Sequence, residues 1–137
     1  VTDVKGAPIM PRGLRNNNPG NLRAGCLWIG YVGADPDGYA QFDTLEHGVR
    51  ALTRDLLTKM RRGLVTIRDI ITTYAPATEN PTQSYIAFVS HRLQVLPNET
   101  ITSAYIPELV DAITFFECGE PLSVDVLASG VESAHHR

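Results

Sequence analysis

Glu79 and Glu46 are the carboxylates placed to do acid–base work. Glu79 lies in the polar loop Ala75-Pro76-Ala77-Thr78-Glu79, just ahead of Asn80-Pro81, and Glu46 follows Asp43-Thr44-Leu45 at the head of a helical pattern. A glutamate that a pocket strips of water keeps its proton to higher pH and can then deliver it to a leaving group. Each also has a plainer use, Glu46 as a capping-box carboxylate and Glu79 as a surface charge in a first helical turn. A helix N-terminus favours the ionised form, so Glu79 needs a dry pocket to act as an acid.

The stretch Arg12-Gly13-Leu14-Arg15-Asn16-Asn17-Asn18-Pro19-Gly20-Asn21-Leu22-Arg23 offers amide and guanidinium donors with little apolar surface. Successive asparagines compete for nearby backbone groups and oppose a helix interior. Pro19-Gly20 fits the middle of a tight turn, with Gly20 free to take positive φ. Such a loop is either solvated filler or a bed of donors for a polar ligand. Arg15, Asn17, Asn18 and Asn80, with the aromatic faces of Trp28, Tyr39 and Tyr74, supply the groups that hold a sugar. Trp28 serves equally as core.

The elements that must position these groups are legible from periodicity. Residues 1–11, with Pro8 and Pro11, form an N-terminal arm, and residues 12–137 form one domain. Residues 27–42 read as a β-hairpin. Its first strand is Leu27–Val32, its turn Gly33–Gly38 and its return Tyr39–Phe42. Asp35 and Asp37 are turn residues there. Asp43 or Thr44 caps a helix whose buried stripe is Leu45, Val49, Leu52, Leu56 and Met60, and Gly63 stops it. Thr66-x-x-Asp69 opens a short helix that Pro76 ends. Asn80 as cap and Pro81 as first residue start another, with Ile86, Val89 and Leu93 buried. A further helix runs roughly from Ser103 to Glu117 and closes at Gly119, and residues 123–134 add a short last one. The fold class is therefore α+β, mostly helical, with one small β-hairpin and four to five helices. The hairpin cannot stand alone, so it leans on the helices, and the seam between them is a natural cleft.

Composition narrows the functional classes. At 137 residues, 43% hydrophobic and 20% charged, the chain is an ordinary globular one. The net charge of −3 hides an uneven spread, with nine Lys/Arg against six Asp/Glu in residues 1–62 and three against nine in the rest. That is a mild dipole and lacks the dense basic face of a nucleic-acid binder. No apolar run spans a bilayer and no secretory signal is visible, so an extracytoplasmic role needs another route. Cys26 and Cys118 make no disulfide framework, and Cys118 reads as a small buried residue. Without a Cys-x-x-Cys or His-Glu-x-x-His pattern, neither a metal nor another cofactor is expected.

Asn17-Asn18-Pro19-Gly20-Asn21-Leu22-Arg23, Trp28-x-Gly30, Phe42-Asp43-Thr44-Leu45-Glu46 and Leu56-Leu57, then Tyr74 through Pro81 with Tyr85, keep order and spacing. Over about residues 12–94 this series resembles the second half of the bacterial autolysin and flagellar N-acetylglucosaminidases of the lysozyme-like superfamily. It is also similar to small phage proteins with an Arg-Asn-Asn-Asn-Pro-Gly-Asn segment, known as virion structural proteins or lysins. The resemblance implies a lysozyme-like domain. It also implies a peptidoglycan glycan strand as ligand, other virion proteins as possible partners, and action at the cell wall from the virion or the host cytoplasm. Cleavage by a muramidase, glucosaminidase or lytic transglycosylase needs a protonated carboxylic acid, and in the last case no second carboxylate.

One departure stands out. The glucosaminidases carry their catalytic Glu on a helix ahead of the Asn segment, whereas residues 1–15 hold only Asp3 and no expected helix. Either the acid has moved, to Glu79 or Glu46, or the scaffold is a non-catalytic virion or wall-binding protein. An endopeptidase lacks its Cys/His or zinc constellation. The saccharide interpretation requires the asparagine bed and the Tyr74–Asn80 segment to form opposite walls of one trench.

Overall fold

The computed structural model describes residues 10–76 and 81–136. Six helices and a two-stranded sheet lie within them: α1 (Arg12–Arg15), β1 (Tyr31–Ala34), β2 (Ala40–Phe42), α2 (Leu45–Arg61), α3 (Ile67–Tyr74), α4 (Thr82–Leu93), α5 (Ile106–Cys118) and α6 (Val124–Ser133). A 3-10 turn, Ser103–Tyr105, leads into α5. The chain is α+β and mostly helical. Its extra helix is α1, one turn that stops at Asn16, where the asparagine run begins.

The first strand starts later than Leu27. Gly30 takes φ +85 and Tyr31 N donates back to the Trp28 carbonyl at 3.1 Å, so residues 28–31 turn rather than extend. β1 and β2 pair antiparallel with Tyr31 opposite Phe42 and Ala34 opposite Ala40, and a bulge falls between Tyr31 and Gly33. Asp35 holds the turn, its carboxylate accepting from the N–H groups of Asp37 and Tyr39, both at 2.9 Å. Ala40 N also donates to the Leu22 carbonyl and Ala24 N to Gly38, which lays residues 22–24 alongside β2.

Thr44, not Asp43, caps α2, its hydroxyl accepting from His47 N at 3.1 Å, while Asp43 pairs with the His47 ring at 2.6 Å. Thr66 caps α3 through Asp69 N at 3.1 Å. Pro81 occupies the cap position of α4 rather than its first turn; Asn80 lies outside the described residues. Gly119 closes α5 at φ +76. Leu52, Leu56, Ile70, Ile71, Ile113 and Tyr85, all fully buried, form the centre of the core between α2, α3, α4 and α5. α2 crosses α6 at Gly130, where a Cβ would stand 2.4 Å from Val49. Among the described residues no helix is long and apolar enough to cross a membrane.

Candidate functional site

Three asparagines tie the loop that follows α1 to the hairpin. Asn16 donates its amide to Asp35 at 2.9 Å, and that bond, with the Tyr39 and Asp37 N–H groups, holds the Asp35 carboxyl below its usual range. Asn17 takes φ +51, which asparagine tolerates, and donates to the Phe42 carbonyl at 3.1 Å. Asn18 is fully buried; it donates to the Leu22 and Ala40 carbonyls at 2.9 Å each and accepts from Leu22 N at 3.0 Å. The expected sugar-binding roles of Asn17 and Asn18 are therefore corrected. Their amides are spent on the carbonyls of Phe42, Leu22 and Ala40, and Asn18 has no surface to offer.

Asn18 also opens the Pro19-Gly20 turn, with Asn21 N donating to its carbonyl at 2.9 Å. Gly20 is not in the left-handed region; that conformation falls to Asn21, at φ +50. Glycine is needed at 20 for another reason. A Cβ there would lie 2.6 Å from the Tyr74 hydroxyl and 3.1 Å from Leu52, and the Tyr74 hydroxyl donates to the Gly20 carbonyl. The end of α3 is thus fastened onto the turn that follows the asparagine run.

Gly20 and Tyr74 both line a cleft of about 660 Å³. One wall is the segment from Gly20 to Cys26, and the other runs from Thr73 to Pro76. Trp28 and Tyr39 line its hairpin side, and Asp55, Lys59 and Glu117 line its helical side. Of the two segments expected to face each other, Gly20 to Arg23 and Tyr74 to Pro76 line the cleft, whereas Asn16, Asn17 and Asn18 do not and residues 77–80 lie outside the described residues. Lys59 pairs with Asp55 at 2.7 Å and lies 5.5 Å from the Tyr74 ring centre.

Glu117 is the group with a distinct electrostatic environment. It stands in the last turn of α5, half-buried, with its Oε1 accepting from the Asn21 amide at 2.8 Å. Burial raises its pKa above the ordinary 4.5, while hydrogen bonding from Asn21 and Tyr85 pulls the other way without cancelling it. The negative end of the α5 dipole also disfavours a carboxylate in that turn. Beneath it the Tyr85 hydroxyl is buried without a well-formed hydrogen bond, and the ring stacks on Phe116 at 3.9 Å. Burial keeps the Tyr74 and Tyr85 phenols protonated and pushes the neighbouring Cys118 thiol up to about 11. A carboxyl that burial holds to its proton more tightly than usual and that borders a polar cleft is equipped to act as a general acid.

Of the residues expected at the site, Trp28, Tyr39 and Tyr74 line this cleft. Glu46 and Arg15 do not: both are exposed elsewhere, Glu46 on the first turn of α2, because the Thr44 cap turns that residue outward. Glu79 and Asn80 lie outside the described residues. Glu117, Asp55 and Lys59 were not expected there, and Arg12, Asn21 and Arg23 were expected only as members of the donor-rich stretch. For Glu117 a signal exists in the sequence: it follows Ile113 by four and Val110 by seven, in register with the buried stripe of α5. Among the described residues no group of three or more His, Cys, Asp or Glu is placed to hold a metal ion.

No protein-family model matches the chain. It is 36% identical over 128 residues to Protein P5 of Pseudoalteromonas phage PM2, an alignment covering 88% of this chain and 80% of that protein. The chain belongs to the family of that phage protein.

Proposed function

We propose that this member of the Protein P5 family cleaves peptidoglycan glycan strands, with Glu117 donating the proton to the glycosidic oxygen. The observation that carries the proposal is Glu117 itself, a carboxyl whose burial favours the protonated form, bordering a polar cleft beside Asn21 and Tyr74. A general acid of this kind contributes roughly 10²–10⁴-fold to a rate. Trp28 and Tyr39 give the cleft aromatic faces, and the amide and hydroxyl groups around them suit a saccharide.

The placement of α5 supports a lysozyme-like arrangement in which the acid-bearing helix comes after the asparagine segment and the hairpin. The resemblance puts that acid on a helix ahead of the asparagine segment. Here α5 follows it by some 90 residues yet packs on the same segment, through Asn21 to Glu117 and the Cys118 thiol to the Pro19 carbonyl at 3.5 Å. The other described carboxylate of the cleft, Asp55, is paired with Lys59. One unpaired acid favours lytic transglycosylation, in which a substrate hydroxyl attacks internally, over a two-carboxylate hydrolysis. The phage relative is consistent with a lysin or virion-associated lytic protein acting at the bacterial wall.

The test compares purified cell walls treated with the wild type and with Glu117→Gln. Soluble glycan fragments, with anhydromuramic ends for a transglycosylase, are expected from the wild type and at least 100-fold fewer from the variant. Equal release by both would remove Glu117 from the reaction. The second reading, a non-catalytic virion or wall-binding protein, draws on the Asn21 bond, which a purely structural buried acid would also make. Binding of walls by the wild type with no fragments released would establish it.

A further inference from the structure

We infer that Asn21 is a positioning residue for the proposed acid: its side-chain amide claims one oxygen of the Glu117 carboxyl and leaves the proton on the other. The inference rests on the reading of Glu117 as the proton donor. An amide N–H only donates, so Oε1, at 2.8 Å from the Asn21 Nδ2, is the acceptor of that pair. In a protonated carboxyl the carbonyl oxygen is the better acceptor, so the O–H is at Oε2. The reverse orientation of the amide is disfavoured. The Asn21 Oδ1 is buried without a partner. Turning the amide over would bury its NH2 group there instead, leaving two donors unmet in place of one acceptor.

The loop holds this amide in place. Asn21 sits at φ +50, a left-handed conformation that asparagine tolerates, and its N–H donates to the Asn18 carbonyl at 2.9 Å. Gly20, just before it, takes the bond from the Tyr74 hydroxyl. Asn21 therefore reaches Glu117 from a pinned backbone, and little freedom is lost in making the bond.

A neutral donor is what an acid of this kind requires. A Lys or Arg at 21 would pair with the carboxylate and ionise it. An apolar residue would leave Oε1 unmet and the carboxyl able to rotate. The other groups around Glu117 do not supply a competing charge. The Tyr74 phenol on α3 and the Tyr85 phenol on α4 stay protonated, and the Cys118 thiol on α5 is pushed up to about 11. Asp55 on α2 is matched by Lys59, and Glu120, past the end of α5, is exposed. Burial raises the Glu117 pKa, and the Asn21 bond opposes that rise without cancelling it.

The test measures cleavage of soluble glycan strands by the wild type, Glu117→Gln, Asn21→Gly and Asn21→Asp, and follows the Glu117 carboxyl carbon by NMR. Glycine keeps the left-handed backbone and removes the amide. Asn21→Gly should lower kcat roughly ten-fold or more with KM unchanged. Its Glu117 signal should titrate at higher pH than in the wild type, and the basic limb of the rate profile should move up with it. A packing role alone moves neither. In Asn21→Asp two carboxyls share one proton, so the Glu117 signal should titrate in two steps. An Asn21→Gly variant that cleaves and titrates like the wild type, or a single unshifted step in Asn21→Asp, overturns the positioning role and leaves Glu117 standing as the acid. Cleavage by Glu117→Gln as fast as by the wild type, or by neither, overturns both.

Discussion

The side-chain amide of Asn21 donates to the carboxyl of Glu117 at 2.8 Å, joining positions 96 apart in the chain. The bond places the acid against the segment that resembles a glycan-binding loop, and it has a thermodynamic consequence. Burial raises the folded-state pKa of Glu117 above its ordinary 4.5, so the folded protein binds more protons there than the unfolded one. Stability from this group is fully present below pH 4.5 and is lost as pH rises through the folded value. Gln at 117 mimics the protonated acid and still accepts from Asn21. Glu117→Gln should therefore raise Tm at pH 7 and leave it unchanged near pH 3.5, while activity falls. Thermal unfolding of both proteins across that range checks it, and a lower Tm at pH 7 would contradict the protonated assignment.

Gly20 and Tyr74 meet in the lining of the cleft. Ala at 20 would push a methyl to 2.6 Å from the Tyr74 hydroxyl and 3.1 Å from Leu52. Overpacking of this kind costs about 1–3 kcal/mol. In a Tyr74→Phe background the hydroxyl conflict is gone and only the Leu52 contact remains, so Gly20→Ala should cost measurably less. Urea unfolding of the four proteins of the cycle gives the coupling; additive losses would mean that the two residues do not meet.

Local rules located most of the helices, because caps and stops are decided by neighbours in sequence. Thr66 and Gly119 do what their types suggest, since a hydroxyl three residues ahead of a free N–H and a glycine at positive φ need no tertiary context. The meeting of Tyr74 with the asparagine segment was also legible, from motif order. The acid was not. Glu117 stands near a helix end beside Gly119 and Glu120, which looks like a polar end, and it is the tertiary contact with Asn21, beside the Cys118 bond to Pro19, that sets its surroundings. Asn18 shows the converse. Its type marks it as a donor, but the identity of its acceptors depends on which carbonyls residue 22 and β2 bring near. Gly30 moved the first strand because its left-handed backbone outweighs the β propensity of Leu27 to Val32.

Arg50 offers a control remote from the cleft. It lies on α2, 8% exposed, and donates to the carbonyls of Ser133, the last residue of α6, at 3.3 Å and of His136, just beyond it, at 3.1 Å. Arg54 adds a bond to Ala134 at 3.1 Å. Helix-end carbonyls without partners are costly when covered, and a charged donor complements the dipole. Arg50→Met should lose about 2 kcal/mol and speed amide exchange in α6 more than in α3. The pH dependence of Glu117 should not move, because none of these groups touches the cleft.

Asn18 separates a structural role from a ligand-binding one. Its amide satisfies two carbonyls and its oxygen satisfies one N–H, all buried. Asn18→Ala removes the bonds to the Ala40 carbonyl and the Leu22 N–H, while the Leu22 carbonyl keeps its bond from Ala40 N; a buried group left without a partner costs about 1–3 kcal/mol before relaxation or water entry. A loss of roughly 3 kcal/mol or more is expected in chemical denaturation. Asn18→Asp should be at least as damaging above pH 5, since the carboxylate removes the donor and adds an unpaired buried charge. Lowering the pH to 4 protonates that acid and should recover part of the loss, a recovery that Asn18→Ala cannot show. If instead Asn18→Ala unfolds like the wild type but binds wall saccharide more weakly, the side chain reaches the ligand and its packing against Leu22 and Ala40 is not what maintains it.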